Sequence, residues 1–465
     1  MRHPRSPSCL TVTALLLSVG CTQLEGRPPR DAAVSDAPSS DGDVADSTRD
    51  ESDAPPCPSD APPALDPRYT RLVSAAALGV DFTGAFPRAA FSDGAGHIYV
   101  VGTCSRCNAH PATEAALWRF QESDAALDLG FGVRGLLVDE PAKVAAHAWL
   151  AGAVDPMGRV VVVGHKGEQR GGLRAARILP SGDFDTTFGD LGRVTLEPSQ
   201  VSPAIDSVLP YALRAEAAST LIVGSDAYTW QRSATRAFAL RLRTGGERDA
   251  AFGNNGVLVD ASLRGCFDVK RDGNRYVLAC VSQEQARPVL LRLDERGRRS
   301  PWPEAEAASE HDLAPRGFQV RALLRDSAGR WLVAGAVSPL YNDANAPPTV
   351  VRYLSTGRPD ASYGIRGVAS LTGARQSFAY TFATPWALIC EDRLVFGAIL
   401  EPVPVLAVFD AHGVLVDSDT PGGVYPLAQG RGLGLVSAVI PVSPTSVIAV
   451  TAYNPSQFGF FHLRH

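Results

Sequence analysis

The groups in this chain best equipped for chemistry are its eight cysteines and nine histidines. Cys104 and Cys107 form the segment CSRC, with His97 and His110 close by in sequence. A dithiol at that spacing carries redox chemistry when it sits at a helix N-terminus in a βαβ setting, which the surrounding sequence does not offer. Zinc would require two further ligands, and the two histidines stand at no common ligand spacing. The pair is therefore expected to close a small structural disulfide. Cys266 and Cys280 flank FDVKRDGNRYVLA symmetrically about Gly273. A hairpin turning at that glycine would place them opposite each other as a cross-strand bridge. Cys57 and Cys390 are left over, with no partner assigned. No glycine-rich phosphate loop, G-x-S-x-G elbow or H-E-x-x-H helix occurs, so no cofactor and no metal is expected.

A second candidate is a series of arginines. The segments ALWRF, AARIL, ALRLR, LLRLD, VVRYL and FHLRH carry Arg119, Arg177, Arg241, Arg292, Arg352 and Arg464, while LAVFD has Val408 in their place. Such a series could line a channel and attract anions. Most of its members are followed by an aspartate in a recurring phrase, L-D-x-x-F-G or a variant of it: Asp128, Asp185, Asp249, Asp360 and, in VLVDSDTPGGV, Asp417. A repeated Arg–Asp ion pair is the simpler account, because a binding site needs asymmetry and a repeat is symmetric.

The elements that position these groups recur as well. Each unit opens with an apolar stretch, a turn, and a β-branched run, as in FSDGAGHIYVVG, VDPMGRVVVVG and LRDSAGRWLVAG. Asp and Gly between two apolar runs mark a hairpin, since glycine accepts the positive φ the turn requires. The run after the turn is apolar at consecutive positions, so both its faces are covered. Seven such runs end at Gly102, Gly164, Gly224, Cys280, Gly335, Gly397 and Thr451, at spacings of 54 to 62 residues. That is the length of a four-stranded propeller blade. The chain stops at His465 directly after a third strand, and ALDPRYTRLV at Ala64–Val73 is a closing phrase with no unit before it. The fold expected is all-β: a seven-bladed β-propeller closed by the N-terminal strand, with Leu65–Val73 paired to the strand ending at Leu463. Closure removes the edge an open array would expose.

These repeats resemble the delta-60 repeat family, whose unit runs A-V-x-x-D-G-K-I-V-V-A-G, F-A-L-A-R-Y, L-D-x-S-F-G-x-x-G. The resemblance covers Leu65–His465, with the tail phrase lost in unit four (RRSPWPEAEA) and the arginine lost in unit six. It implies a β-propeller from a module of bacterial surface and secreted proteins, and it implies no common set of catalytic residues.

Upstream of the repeats, Arg2 and Arg5 precede the apolar run LTVTALLLSVG and then Cys21. This is the layout of a secretory signal peptide. Its end, LLLSVGC, resembles a bacterial lipoprotein lipobox, which implies acylation of Cys21 after cleavage. Ser18 departs from that pattern, with leucine one place early at Leu17. Residues 1–20 are read as the signal peptide, and 21–64 as a disordered tether rich in Asp, Ser, Pro and Ala. The tether has too little apolar surface to offset the entropy of ordering. Residues 65–465 are read as the propeller. The tether accounts for the net charge of −5, and the near-neutral remainder argues against nucleic acid as a partner.

Function is expected where the repeat is broken, in the segments 104–115, 300–317 and 337–349. Trp302, His311, Tyr341, Asn342 and Asp343 are the candidate binding-loop residues. The expectation is a monomeric, non-enzymatic binding or scaffold module. It would be held by Cys21 to a bacterial membrane, at the outer membrane or cell surface, and would take a protein or carbohydrate ligand. The alternative is a hydrolase or lyase acting on polysaccharide, with carboxylates at one mouth of the channel.

Overall fold

The computed structural model describes residues 63–66, 71–74, 84–105, 113–139, 147–166, 171–203, 205, 207–226, 235–306, 308–337, 346–376, 385–400, 403–416, 424–427, 435–454 and 457–464. The doubly apolar runs are strands covered on both faces: in Val160–Lys166 the stretch VVVVG is buried at every position. Blade one comprises Gly84–Ser92, His97–Ser105, Thr113–Gln121 and Leu136–Asp139, joined in that order as an antiparallel meander. Blades two to five repeat the arrangement over His147–Leu196, Leu209–Asp260, Leu263–Glu310 and Phe318–Ser370. In blade six the first strand is in two pieces, Arg375–Gln376 and Trp386–Ile389, both paired to Arg393–Leu400.

Blade seven contributes Leu435–Ser443, Ser446–Asn454 and Gln457–Arg464, and its fourth strand comes from the other end of the chain. Leu65 pairs with Leu463 and Ala64 with Arg464, and Arg71–Ser74 continue along Phe460 to Gln457. The first strands of successive blades lie side by side around the axis, and that of blade seven meets that of blade one. The chain is a closed, seven-bladed β-propeller.

The core lies between blades. One cluster joins Ile98, Val100, Trp118 and Phe120 of blade one to Ile448, Val450, Phe458 and Phe460 of blade seven. Within it the Trp118 and Phe458 rings meet edge to face at 5.2 Å. Aromatic pairs in that geometry add about 0.5–1.5 kcal/mol to the area they bury.

In six blades the first strand bulges, with register shifts at Pro87/Ala89, Trp149/Ala151, Pro210/Ala212, Cys266/Asp268, Val320/Ala322 and Val436/Ala438. In blades one, two, three and five a glycine of the second strand faces the residue just before the bulge, whereas blade seven has Thr451 there. A Cβ on Gly164 would collide with the Ala148 carbonyl oxygen, and one on Gly335 with that of Gln319. In blade four Cys280 occupies this place, opposite Cys266, and a disulfide joins the two across a Cα–Cα distance of 3.9 Å.

Candidate functional site

The arginine series forms the seams of the ring. Arg119, Arg177, Arg241 and Arg352 each pair with the aspartate of their own blade, Asp128, Asp185, Asp249 and Asp360, at 2.7–2.8 Å. Each also reaches into the next blade, where Nη1 donates to the carbonyl oxygen of Pro180, Thr244, Glu295 and Ala411 respectively. The glycine of the following F-G or Y-G pair donates its N–H one residue further along the same turn, to Ser181, Gly245, Arg296 and His412. The aromatic of that pair lies under the guanidinium, with Phe131, Phe188, Phe252 and Tyr363 centred 4.5–4.9 Å from it. The recurring phrase therefore supplies an acid, an aromatic ring and an N–H to one interblade joint.

This geometry fixes the charge of the carboxylates. Burial alone would raise the pKa of Asp185, Asp249 and Asp360, but hydrogen bonds from neighbouring hydroxyl and amide groups and from the arginines outweigh it. All three are held below the ordinary aspartate value. Such groups are ionised anchors, unsuited to general-acid work at neutral pH.

Several candidates take other places than the sequence suggested. Trp302, expected in a binding loop, is 4 % exposed. It lies under Arg292 at 5.0 Å, where blades one, two, three and five have Phe or Tyr, and packs on Gly357 of blade five. His311, also expected in a loop, is fully buried. Its Nε2 faces the Arg352 carbonyl oxygen at 3.0 Å, and its ring meets Tyr353 edge-on. Burial holds its pKa below the ordinary histidine value. In blade seven the arginine register belongs to His462, whose carbonyl accepts the Asp66 N–H. Arg464 lies two residues on and reaches back to Asp66 at 3.5 Å, as Arg243 does to Asp249. In blade six Val416, not Asp417, donates its N–H to Val408 at the aspartate position.

In blade four Ser300 stands where the aspartate would be, and Arg292 turns to Asp272 of the first hairpin at 3.0 Å. Cys104 and Cys390 each take part in a disulfide. Cys21, Cys57, Cys107, Tyr341, Asn342, Asp343 and Asp417 lie outside the described residues.

Two further regions lie outside the seams. The bulge residues Arg88, Leu150, Tyr211, Phe267, Arg321 and Ser437 hold equivalent places on the innermost strands and so ring the axis. They are apolar over blades two to four, where Tyr211 stacks on Phe267 at 4.5 Å, and polar in blades one, five and seven. The second region is the end of the ring where second strands give way to third strands. Strand ends at Ser105 and Thr113, Ser225 and Ala237, and Val337 and Pro348 flank the longer insertions there, all on one face. Among the described residues no group of His, Cys, Asp and Glu could hold a metal ion. The buried bulge residues carry no sequence motif. The signal that could have found Trp302 is an aromatic ten residues after its arginine, against eleven or twelve in blades one, two, three and five.

The fold and its seams define the class, a seven-bladed β-propeller. No family model matches the chain, so the likeness to delta-60 repeats rests on the motifs alone. No curated protein matches it in sequence. Among solved structures it is similar to puromycin hydrolase, at 15% identity and a TM-score of 0.48, over 81% of this chain and 51% of that one. The chain thus spans about half the length of that enzyme. It is also similar to YCF48 bound to D1 peptide, at 9% identity and a TM-score of 0.44, over 87% and 98% of the two chains. A protein of unknown function from Dyadobacter fermentans matches at 10% identity and a TM-score of 0.41, over 82% and 95%.

Proposed function

We propose that the chain is a lipid-anchored, extracytoplasmic propeller that binds or scaffolds a protein or carbohydrate without catalysis. The observation that carries this reading is the use of the repeated polar groups in the seams. The arginines and aspartates that recur are tied to each other and to backbone carbonyls, so the ring is a rigid frame. The strand ends that flank the longer insertions after the second strands of blades one, three and five lie together on one face, where a frame of this kind presents binding loops. The lipobox-like segment ending at Cys21 and the likeness to a bacterial surface repeat support the location.

The test has two arms. Cells fed an alkyne fatty acid should label the wild-type chain, which should fractionate with membranes, whereas Cys21→Ala should be unlabelled and soluble after export. The purified chain should bind a component of the cell envelope while releasing no reducing ends from envelope polysaccharides. Wild type freed from membranes as readily as Cys21→Ala would overturn the anchor. Polysaccharide cleavage abolished by one carboxylate substitution would overturn the non-catalytic reading.

A further inference from the structure

Among the described residues, the two faces of the ring differ in how many exposed apolar side chains they carry. The hairpins joining first to second strands and the turns joining third to fourth strands share one face, as the contacts Glu122 N–H to Gly96 O and Thr244 Oγ1 to Ala218 O show. Six of the eight exposed large apolar side chains among the described residues sit in the turns of that face, Leu129 64%, Val133 70%, Met157 65%, Leu191 66%, Ile365 82% and Val414 59%, and the two less exposed ones, Phe86 and Leu313, lie toward the other.

The fold does not demand them. Val133 and Ile365 occupy the same place in the turn after F-G or Y-G, and blade three has Asn254 and blade two Asp190 there with the same N–H to C=O closure. The residues fall into two groups, on blades one and two and on blades five and six. Four blades apart in a ring of seven, the groups stand nearly opposite each other, like two feet. Arg134 and Arg366 directly follow Val133 and Ile365 and are exposed. An aliphatic tip beside an arginine suits the boundary between acyl chains and anionic headgroups.

The closing strand leads to the same face. Ala64 and Ser446 both pair with Arg464, and Ser446 belongs to the first hairpin of blade seven, so the chain arriving from Cys21 joins the ring on the side of the tips. The 43 residue-to-residue steps from Cys21 to Ala64 can span at most ~150 Å at ~3.5 Å each. A leash of that reach does not dictate how the ring meets the bilayer.

We propose that this face rests on the lipid bilayer through the two groups of apolar tips, so that the opposite face, with its longer insertions, points away from the membrane. The inference rests on the Cys21 anchor proposed above, and its test separates the two. The full acylated chain, labelled with an environment-sensitive fluorophore at Val133→Cys, Ile365→Cys or Glu284→Cys, is reconstituted into vesicles of phosphatidylethanolamine and phosphatidylglycerol. Some of the lipids carry a nitroxide near the headgroup. Glu284 is exposed in the connection between the second and third strands of blade four, on the opposite face.

Quenching at Val133 and Ile365 should exceed that at Glu284 by about threefold or more. In Val133→Asn/Ile365→Asn, a change blade three already tolerates, a probe at Leu191→Cys should lose most of its quenching. Equal quenching on both faces of a chain that floats with the vesicles would overturn the orientation alone. A chain that does not float would overturn the anchor and the orientation with it. Burial of the tip probes that grows with protein concentration, without nitroxide quenching, would make the tips a contact between copies and overturn the proposal.

Discussion

Arg352→Val probes the seam where it is most buried. Arg352 is 2 % exposed; its Nε donates to Asp360 Oδ2 at 2.8 Å and its Nη1 to the Ala411 carbonyl of blade six at 2.6 Å. Removing the guanidinium leaves Asp360, 5 % exposed, charged and without its cation. Breaking a buried pair on one side costs about 3–5 kcal/mol. Blade six already shows the alternative, with Val408 at the arginine register and Val416 at the aspartate position. Arg352→Val/Asp360→Val should therefore recover most of the loss, leaving about 1–2 kcal/mol for the missing interblade hydrogen bonds. The second substitution thus returns about 2–3 kcal/mol of what the first removes. Unfolding entropy of ~2.1 cal/mol/K per residue over a ring of ~400 residues makes 1 kcal/mol worth about 1.2 °C. Scanning calorimetry at neutral pH, with rescans to check reversibility, should show Tm falling by about 4–6 °C in the single variant and about 1–2 °C in the double. Equal falls in both would refute the reasoning, because the stranded carboxylate would not be the source of the cost.

Replacing Cys266→Val and Cys280→Gly recreates the Val320–Gly335 pair of blade five and should cost less in calorimetry than Cys266→Ser/Cys280→Ser. The crosslink spans 14 residues and is worth up to about 3 kcal/mol in the chain-entropy account. Gly335→Ala should prevent folding or lower Tm far more than Gly94→Ala, which has open space for a Cβ and only its positive φ to strain. Acid should act in two stages. Burial, with Arg464 beside it, lowers the His462 pKa to about 4, and burial lowers that of His311. The unfolded chain therefore binds more protons between pH 6.5 and about 4, and stability should fall as pH drops through that window, by no more than about 3 kcal/mol for His462. Asp185, Asp249 and Asp360, with lowered pKa values, should add a further loss below about pH 4. Urea titrations across pH would show this, and His462→Gln should flatten the upper stage.

The ring was legible because each blade repeats the side chains that build it. Seven second strands, the arginines with their aspartates, and the unpaired phrase at Leu65 all carry side-chain signatures, and they led to the blade number and the closing strand. The partners in the next blade were not legible, because Ala411 and Thr244 contribute only carbonyl oxygens. Trp302 and His311 lie where blade four breaks the repeat, and a broken repeat reads as loop. Their burial follows from blade four filling the aromatic place one residue early and covering the seam with blade five. Arg464 was misplaced by two positions because FHLRH mimics the phrase, while hydrogen bonding to Asp66 sets the register at His462. The innermost bulges had no signature either, since Arg88, Leu150, Tyr211 and Ser437 share a backbone position and no chemistry.

The measurement that bears most directly on the closed ring is a crosslink between its ends. Leu65 and Leu463 are facing partners in the closing sheet although they stand 398 positions apart. Leu65→Cys/Leu463→Cys, oxidised at low protein concentration and mapped by mass spectrometry, should yield one intramolecular linkage between the peptides carrying residues 65 and 463. Failure of that linkage to form in a folded chain, or its appearance only between molecules, would contradict the closed seven-bladed ring.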